Sequence, residues 1–556
     1  MKKNVVSPLF VLSALLFGCN TSTNSSITSS STFSSEDSSS LSSEEDGSSV
    51  SSSEEESSSV YSDEGSSISE ESSSISEEES STMEDSSSAT KEGTYHFYCV
   101  NDFHGSILEK TNNYYEPGIA KYFGELKRLK EEDPDHTIIL SAGDMYQGSL
   151  ESNSNYGELV TLAMNNVGFD AMTVGNHEFD YGVPYLLDNI ELASFPVLGG
   201  NIMKFEEGKI GTEPWDEDKF AISTIIDKPN AKIGIVGMIG EGQTTSITSR
   251  YVDDMDFVPH ESLAKTEATR LKEEEDCDIV LLLIHDEEAN VQYAADKDYF
   301  DGVFCAHTHR GERSMSNGVP FVQSYCNGEG ISHFDLTLDE GNVICSDYET
   351  IESESYWEED EEIAAIRDSF IKDEAFVAIA SQEAGNVTGT LTNKEGVPNV
   401  SCKAIYEKYS LLEDDLVCAM TNTGRASLRG NITYSDIYKA VPFMNAIAIV
   451  KVKGQDIIDE AAWNNSYTGD LEKYGTIDKD AFYKIAIIDY LVYHKSTKKV
   501  FDYFPSMNPG QGGEIIKIYE DYPFDIMFNY IKNDLNGKIS YSNFRNYSQG
   551  FNLYNQ

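Results

Sequence analysis

The sequence predicts a layered α/β domain followed by a second domain with strands of its own. Three observations predict it. Between residues 95 and 350, short apolar runs alternate with amphipathic stretches, the pattern of strands interleaved with helices. A second set of apolar runs begins after about residue 380, beyond a charged stretch. Clusters of His, Asp and Asn stand where the apolar runs of the first domain end, as in α/β sheets that gather their sites at the carboxyl ends of strands.

The chain has 556 residues, more than one globular domain usually holds. Residues 1–19 read as a secretion signal. Lys2 and Lys3 precede an apolar run, Val5 to Phe17, that is too short to span a bilayer. The run ends in Leu-Phe-Gly-Cys, which resembles a bacterial lipobox. Cys19 is therefore the expected lipidation site, and a lipid anchor would hold the protein on the outer face of the bacterial cell membrane. An ordinary cleaved signal is the alternative. Residues 20–92 are Ser and Glu with scattered Asp, too poor in apolar groups to offset the entropy of ordering, and predict an extended, disordered tether.

Residues 93–352 make the first domain. HFYCV, TIILSA, AMTVG, KIGIVGM, DIVLLLIH, GVFCA and VPFVQS read as strands, being short, apolar or β-branched and bounded by Gly, Asn or Asp. Ile119, Tyr122, Phe123, Leu126 and Leu129 fall at helical spacing, so 118–131 is a predicted helix over the sheet. Residues 353–379 read as a charged helical connector. Residues 380–556 form the second domain, with strands at IAIVKVKG and FYKIAIID and a helix near SDIYKAV. The eight cysteines include no CxxC pair, and Cys277, Cys305 and Cys345 are expected to be buried free thiols. A formal net charge of −56 leaves no basic face for nucleic acid. An anionic substrate would need local cations, which bound metal ions supply.

The chemistry lies in five segments. Asp102 and His104 follow the strand ending at Val100, and Asp144 follows TIILSA. Asn176 and His177 follow MTVG, His285 ends DIVLLLI, and His307 and His309 follow GVFC. Clusters so placed can meet at one point. Their oxygen and nitrogen donors suit Zn, Mn, Fe or Co and not a thiolate site. Two such ions, bridged by one carboxylate, would make a two-metal hydrolytic centre. His96, His136, His260 and His333, outside these segments, are expected to be structural.

NDFHG, GDMYQGS, GNHEFD, LIHDE and CAHTH resemble, in order and spacing, the five motifs of calcineurin-like metallophosphoesterases, and in detail those of the 5′-nucleotidase family. The resemblance covers roughly residues 94–550. It implies a four-layer α/β/β/α sandwich with a second, mixed α+β substrate-binding domain. It implies two divalent metal ions, one held by Asp102, His104, Asp144 and His309, the other by Asp144, Asn176, His285 and His307. His177 and Asp180 would be the catalytic pair, with His177 at the phosphoryl oxygen or leaving group and Asp180 orienting it. One departure is LIHDEE, which carries Asp286 and Glu287 where many relatives have a small residue.

In the second domain, TNTGRASLRGNITYSDIYKAVPFMN resembles the family's nucleotide-binding stretch. The resemblance places Asn422 and Arg425 as substrate contacts, Phe443 and Asn445 at the base, and Tyr490 as a second stacking aromatic. LVYHKSTKKVFDYF stands where relatives carry a Gly-Gly-Asp-Gly turn, and Lys394 is the one cation where they have a further Arg. The expected activity is release of phosphate from nucleotides, including ADP and ATP. Asp180 favours it, since related 2′,3′-cyclic-nucleotide phosphodiesterases tend to carry Asn there. Such a phosphodiesterase, a UDP-sugar hydrolase, and a surface binding protein on a degenerate enzyme scaffold are the alternatives.

Overall fold

The computed structural model describes residues 92–111, 114–461, 465–468, 477–494 and 501–544. The expected signal, Cys19 and almost all of the tether lie outside them. All seven predicted segments of the first domain form strands, at Gly93–Val100, Thr137–Ser141, Ala171–Thr173, Ala231–Ile239, Ile279–His285, Gly302–Phe304 and Val319–Gln323. The predicted helix runs Ile119–Glu132.

The strands divide into two six-stranded sheets. The first has the order Asn342–Glu352, Gly330–Asp339, Gly93–Val100, Thr137–Ser141, Ala171–Thr173, Val197–Leu198. The second has the order Glu312–Ser316, Val319–Gln323, Gly302–Phe304, Ile279–His285, Ala231–Ile239, Ser223–Lys228. Alternation along the strands assigns the layers. Phe97 and Leu140 from the first sheet meet Ile233, Leu281 and Phe304 from the second in one apolar cluster. Val280, Leu282 and Ile284 turn the other way, onto Ala264, Ala268 and Leu271 of the helix Glu261–Glu273. Ile139 packs outward among Phe123, Leu126, Leu159 and Val160 of helices Ile119–Glu132 and Glu158–Val167. Each such side chain contributes about 1.5–3 kcal/mol on burial. The result is the expected α/β/β/α sandwich.

The hairpin Gly330–Asp339/Asn342–Glu352 was not among the predicted strands. It pairs antiparallel onto Gly93–Val100. Its outer strand alternates polar and apolar residues weakly, because it forms an edge with one face in water. This explains a correction. Cys277 and Cys305 are buried free thiols, but Cys345 lies on that edge strand and is half-exposed.

The connector contains helices Glu361–Ile371 and Glu374–Ala380. The first packs on helices Ile119–Glu132 and Glu158–Val167, and Lys127 reaches Asp360 and Glu362 at 3.2 and 2.7 Å. The second domain holds a five-stranded sheet that includes the expected strands Ile447–Lys453 and Phe482–Ile488. A three-stranded sheet, Leu428–Thr433, Glu383–Leu391, Lys538–Ser540, and helix Gly396–Tyr409 complete its core. The predicted helix runs Tyr434–Ala440, started by a capping box between Thr433 and Asp436. It leads straight into Pro442, Phe443, Met444 and Asn445.

Candidate active site

The polar clusters do sit at strand ends. Asp102 and His104 follow Gly93–Val100, Asp144 follows Thr137–Ser141, Asn176 follows Ala171–Thr173, His285 closes Ile279–His285, and His307 and His309 follow Gly302–Phe304. Asp102, His104, Asp144, His307 and His309 all have φ between 50° and 78°. Each non-glycine residue in this left-handed region costs about 1–2 kcal/mol. The surrounding bonds impose it. Asp102 and His104 donate their N–H groups to Gly143 and Asp144 carbonyls at 3.0 Å.

Glu178, which sequence reasoning passed over, holds the second and third loops together. Its buried carboxylate accepts the N–H groups of Asp144, Met145 and Gly175, each at 2.7 Å. Burial, with Asp144 nearby, pushes its carboxyl up to about 7. Gly175 is required by close approach. A Cβ there would overlap Asp144 Oδ1 and stand 2.7 Å from His285 Nδ1.

Donor atoms then converge. Asp102, His104 and His309 present ligand atoms within 4.8 Å of one another, as do Asp144, His285 and His307, and also His104, Asp144 and His177. His104 Nδ1 bonds the Gln147 carbonyl at 3.0 Å and His285 Nδ1 the Ala142 carbonyl at 2.8 Å. In the neutral ring, the form that can ligate a metal, these bonds leave the lone pair on Nε2. His104 Nε2 and His309 Nε2 lie 3.0 Å apart. His285 Nε2 lies 3.2 Å from both Asp144 Oδ2 and Asn176 Oδ1, and His307 Nδ1 lies 3.1 Å from Asn176 Oδ1. Asp102 Oδ1 and Asp144 Oδ2 are buried with no hydrogen-bond donor. Acceptors that face one another in a buried site call for positive charge between them. The donor set fits divalent cations.

The Asp102 and Asp144 carboxylates dominate the electrostatics of the site. Burial alone would push His285 and His309 down, but Asp144 and Asp102 outweigh it and raise both to about 10. His104 is half-buried, and desolvation together with the neighbouring His177 pushes it down to about 4. His177 donates its backbone N–H to Asp144 at 2.8 Å and its Nδ1 meets Asp180 Oδ2 at 2.7 Å. Burial opposes its protonation, but the Asp180 and Asp144 carboxylates prevail and hold it up at about 9.

The same cavity is lined by Asp144, Asn176, His177, Asp180, His307 and His309 from the first domain, and by Asn422, Arg425, Phe443, Asn445 and Tyr490 from the second. All five expected substrate contacts are therefore beside the polar cluster. Phe443 and Tyr490 are half-buried wall residues and not core. The Phe443 ring lies 6.3 Å from the His177 ring, nearly parallel, and Arg425 Cζ is 4.9 Å from the Phe443 centroid. Behind Tyr490, His494 stacks on Tyr503 at 4.0 Å. This aromatic backing occupies part of the segment that departs from relatives. Gln147 and Asn153 donate to the Pro442 carbonyl at 3.3 and 3.2 Å, and so hold the Phe443 loop over the cluster.

Residues 95–311 match the family model for calcineurin-like phosphoesterases, and residues 351–472 match that for the 5′-nucleotidase C-terminal domain. The chain belongs to the 5′-nucleotidase family. As a member it is a phosphoric ester hydrolase. It is 26% identical to a 5′-nucleotidase of Vibrio cholerae over 65% of this chain and 73% of that protein. It is 33% identical to an apyrase of Tabanus yao, over 38% of each chain. A 5′-nucleotidase precursor of Thermus thermophilus shares its fold, with a TM-score of 0.64 at 17% identity, covering 81% of this chain and 99% of that one.

Proposed function

We propose that the protein is a metal-dependent 5′-nucleotidase, acting outside the cell on nucleoside phosphates including ADP and ATP. The observation that carries this is the shared cavity. Histidines and carboxylates suited to cations line one side, and an arginine with two aromatic rings lines the other. Asp102, His104, Asp144 and His309 would hold one divalent cation, and Asp144, Asn176, His285 and His307 a second, with Asp144 common to both. Such ions supply Lewis acidity toward the phosphoryl group and the attacking water.

The chain's own residues do the rest. His177, held protonated by Asp180, donates a hydrogen bond to a phosphoryl oxygen or to the leaving oxygen as charge builds there. Asp180 fixes the ring's orientation through Nδ1. Arg425 is exposed and rests on the Phe443 ring, so it can leave that face for a phosphate as a base takes its place. Phe443 and Tyr490 bound the base, and Asn422 and Asn445 offer it hydrogen bonds. Stacking of this kind is worth ~1–3 kcal/mol.

The test is a panel of AMP, ADP, ATP, a 2′,3′-cyclic nucleotide and a UDP-sugar, with Mn or Zn. Phosphate release from AMP, ADP or ATP is expected. Turnover only of the cyclic nucleotide or the UDP-sugar would replace this proposal, and no turnover of any by the metal-loaded protein would leave a binding scaffold. Asp144→Ala should lose metal and activity together. His177→Ala should lose activity and keep its metal. Phe443→Ala should raise KM for nucleotides by about tenfold, and by less for a non-nucleotide phosphomonoester. The location rests on the resemblance around Cys19. Cys19→Ser should move the protein from the membrane fraction to the medium, and an unchanged distribution would refute the lipid anchor.

A further inference from the structure

The outer face of the first sheet carries a second group of histidines and carboxylates, none of them part of the active site. Cross-strand register builds it. His96 stands opposite Asp335 and Tyr98 opposite His333. On the other side His333 stands opposite Glu349 and Asp335 opposite Asp347. Residues directly opposite share a face, so three adjacent strands present His96, His333, Asp335, Asp347 and Glu349 together. A register shift just after Asp335 lies beside the group, and bulges of this kind re-aim side chains at sheet edges.

The bonding inside the group is directional. His333 is 6% exposed, and Tyr98 stacks on its ring at 4.6 Å. Its Nε2 meets Asp335 Oδ1 at 2.9 Å, and His96 Nδ1 meets the same oxygen at 2.6 Å. The Asp335 carboxylate accepts the Nε2 proton and so leaves the His333 lone pair on Nδ1. That atom is buried with no hydrogen-bond partner. It points to Glu349 Oε1 at 4.0 Å, and Asp347 offers a further oxygen within 4.8 Å.

This is the arrangement of a metal-ligating histidine, in which one ring nitrogen is fixed by a carboxylate and the other is free to coordinate. We propose that His333 Nδ1, Asp347 and Glu349 bind a divalent cation, with Asp335 and His96 as positioning residues behind His333. One imidazole and two carboxylates suit a borderline ion such as zinc or manganese. Ligand atoms on a tetrahedral zinc lie ~3.4 Å apart, from metal–ligand lengths of ~2.0–2.2 Å. The 4.0 Å gap closes by a small swing of Glu349, whose side chain is 45% exposed.

The test uses the full chain, stripped of metal and titrated with zinc alone, with bound metal counted after gel filtration. The background variant Asp102→Asn/Asp144→Asn removes the active-site cluster. It should keep one zinc per chain, and adding Asp347→Asn/Glu349→Gln should remove that zinc. Asp347 is exposed and Glu349 half-exposed, so these changes leave the fold intact. Asp335→Asn should weaken zinc binding about 10–100-fold. In the otherwise unchanged chain, Asp347→Asn/Glu349→Gln should lose one zinc and keep nucleotide hydrolysis within about twofold. A background variant that binds no zinc would overturn the site, as would zinc that survives Asp347→Asn/Glu349→Gln in that background. Neither result bears on the active site, whose failure would show instead as loss of hydrolysis with the first panel.

Discussion

At the scale of single residues, the candidate active site is a set of strained positions held by buried hydrogen bonds. Five of its polar residues take left-handed backbone angles, and Glu178 ties two of their loops with three short bonds. Gly175 shows how little room remains. Gly175→Ala would drive a methyl group into Asp144 and His285, both fully buried. Overpacking of this kind costs about 1–3 kcal/mol, and here the displaced atoms are the proposed ligands. We expect this variant to fold, lose at least one bound metal and lose about 100-fold in kcat, as read by metal analysis and phosphate release. Wild-type metal content would show that the loop yields without disturbing the ligands.

At the scale of elements, the cavity depends on segments of the two domains staying together. One such contact is the pair Arg250–Asp489. Arg250 Nε donates to Asp489 Oδ2 at 2.6 Å, its guanidinium also reaches Glu520, and the neighbouring Ser249 donates to the Tyr493 carbonyl at 2.6 Å. Asp489 directly precedes Tyr490, the proposed base wall. Burial pushes the Asp489 carboxyl up to about 6, although Arg250 pulls it down. A carboxyl raised on folding favours the folded state while protonated, below its unfolded value, and that benefit is lost as pH rises through the folded value. Arg250→Ala removes the opposing pull and raises the folded value further. We therefore expect Arg250→Ala to destabilise by about 3 kcal/mol at pH 8, where a buried carboxylate is left alone, and by clearly less at pH 5. Urea midpoints at the two pH values check this, and equal losses would show that the pair acts through packing alone. Nucleotide KM should rise in the same variant, because Tyr490 loses its brace.

At the scale of the whole molecule, acidity is general. The first 91 residues carry −14 of the formal −56, so the remainder is strongly acidic in its own right. A body of this charge would repel nucleotides without cations at the site. The cations should also bear on stability, since they bind the folded chain and not the unfolded one. At a free concentration 100 times Kd, one ion adds about 2.7 kcal/mol. Removal of metal with EDTA should lower Tm by about 5 °C or more, reversibly on adding zinc or manganese. The Asp144→Ala variant should start lower and respond less. An unchanged Tm after proven metal loss would mean that the site is fully formed without ions.

The alternation of apolar runs was enough to predict the seven strands around the site and the helix over them, because strands buried on both faces have an unmistakable composition. The five motifs announced the candidate ligands, since side chains at strand ends need only a sheet to bring them together. Expectations for Asn422, Arg425, Phe443, Asn445 and Tyr490 came from resemblance, and the tertiary structure lines one cavity with them. The edge hairpin escaped notice because half of its surface faces water and its alternation is weak. The roles of Glu178, Asn153 and Arg250 also escaped notice, because each acts through partners tens or hundreds of residues away. His333 was expected to be structural on its own sequence neighbourhood. Only the pairing of three strands showed a buried nitrogen aimed at two carboxylates. Sequence by itself determined which elements form and which atoms can do chemistry, because periodicity and residue type are local. The tertiary structure decided which of those atoms meet, because register and packing are not.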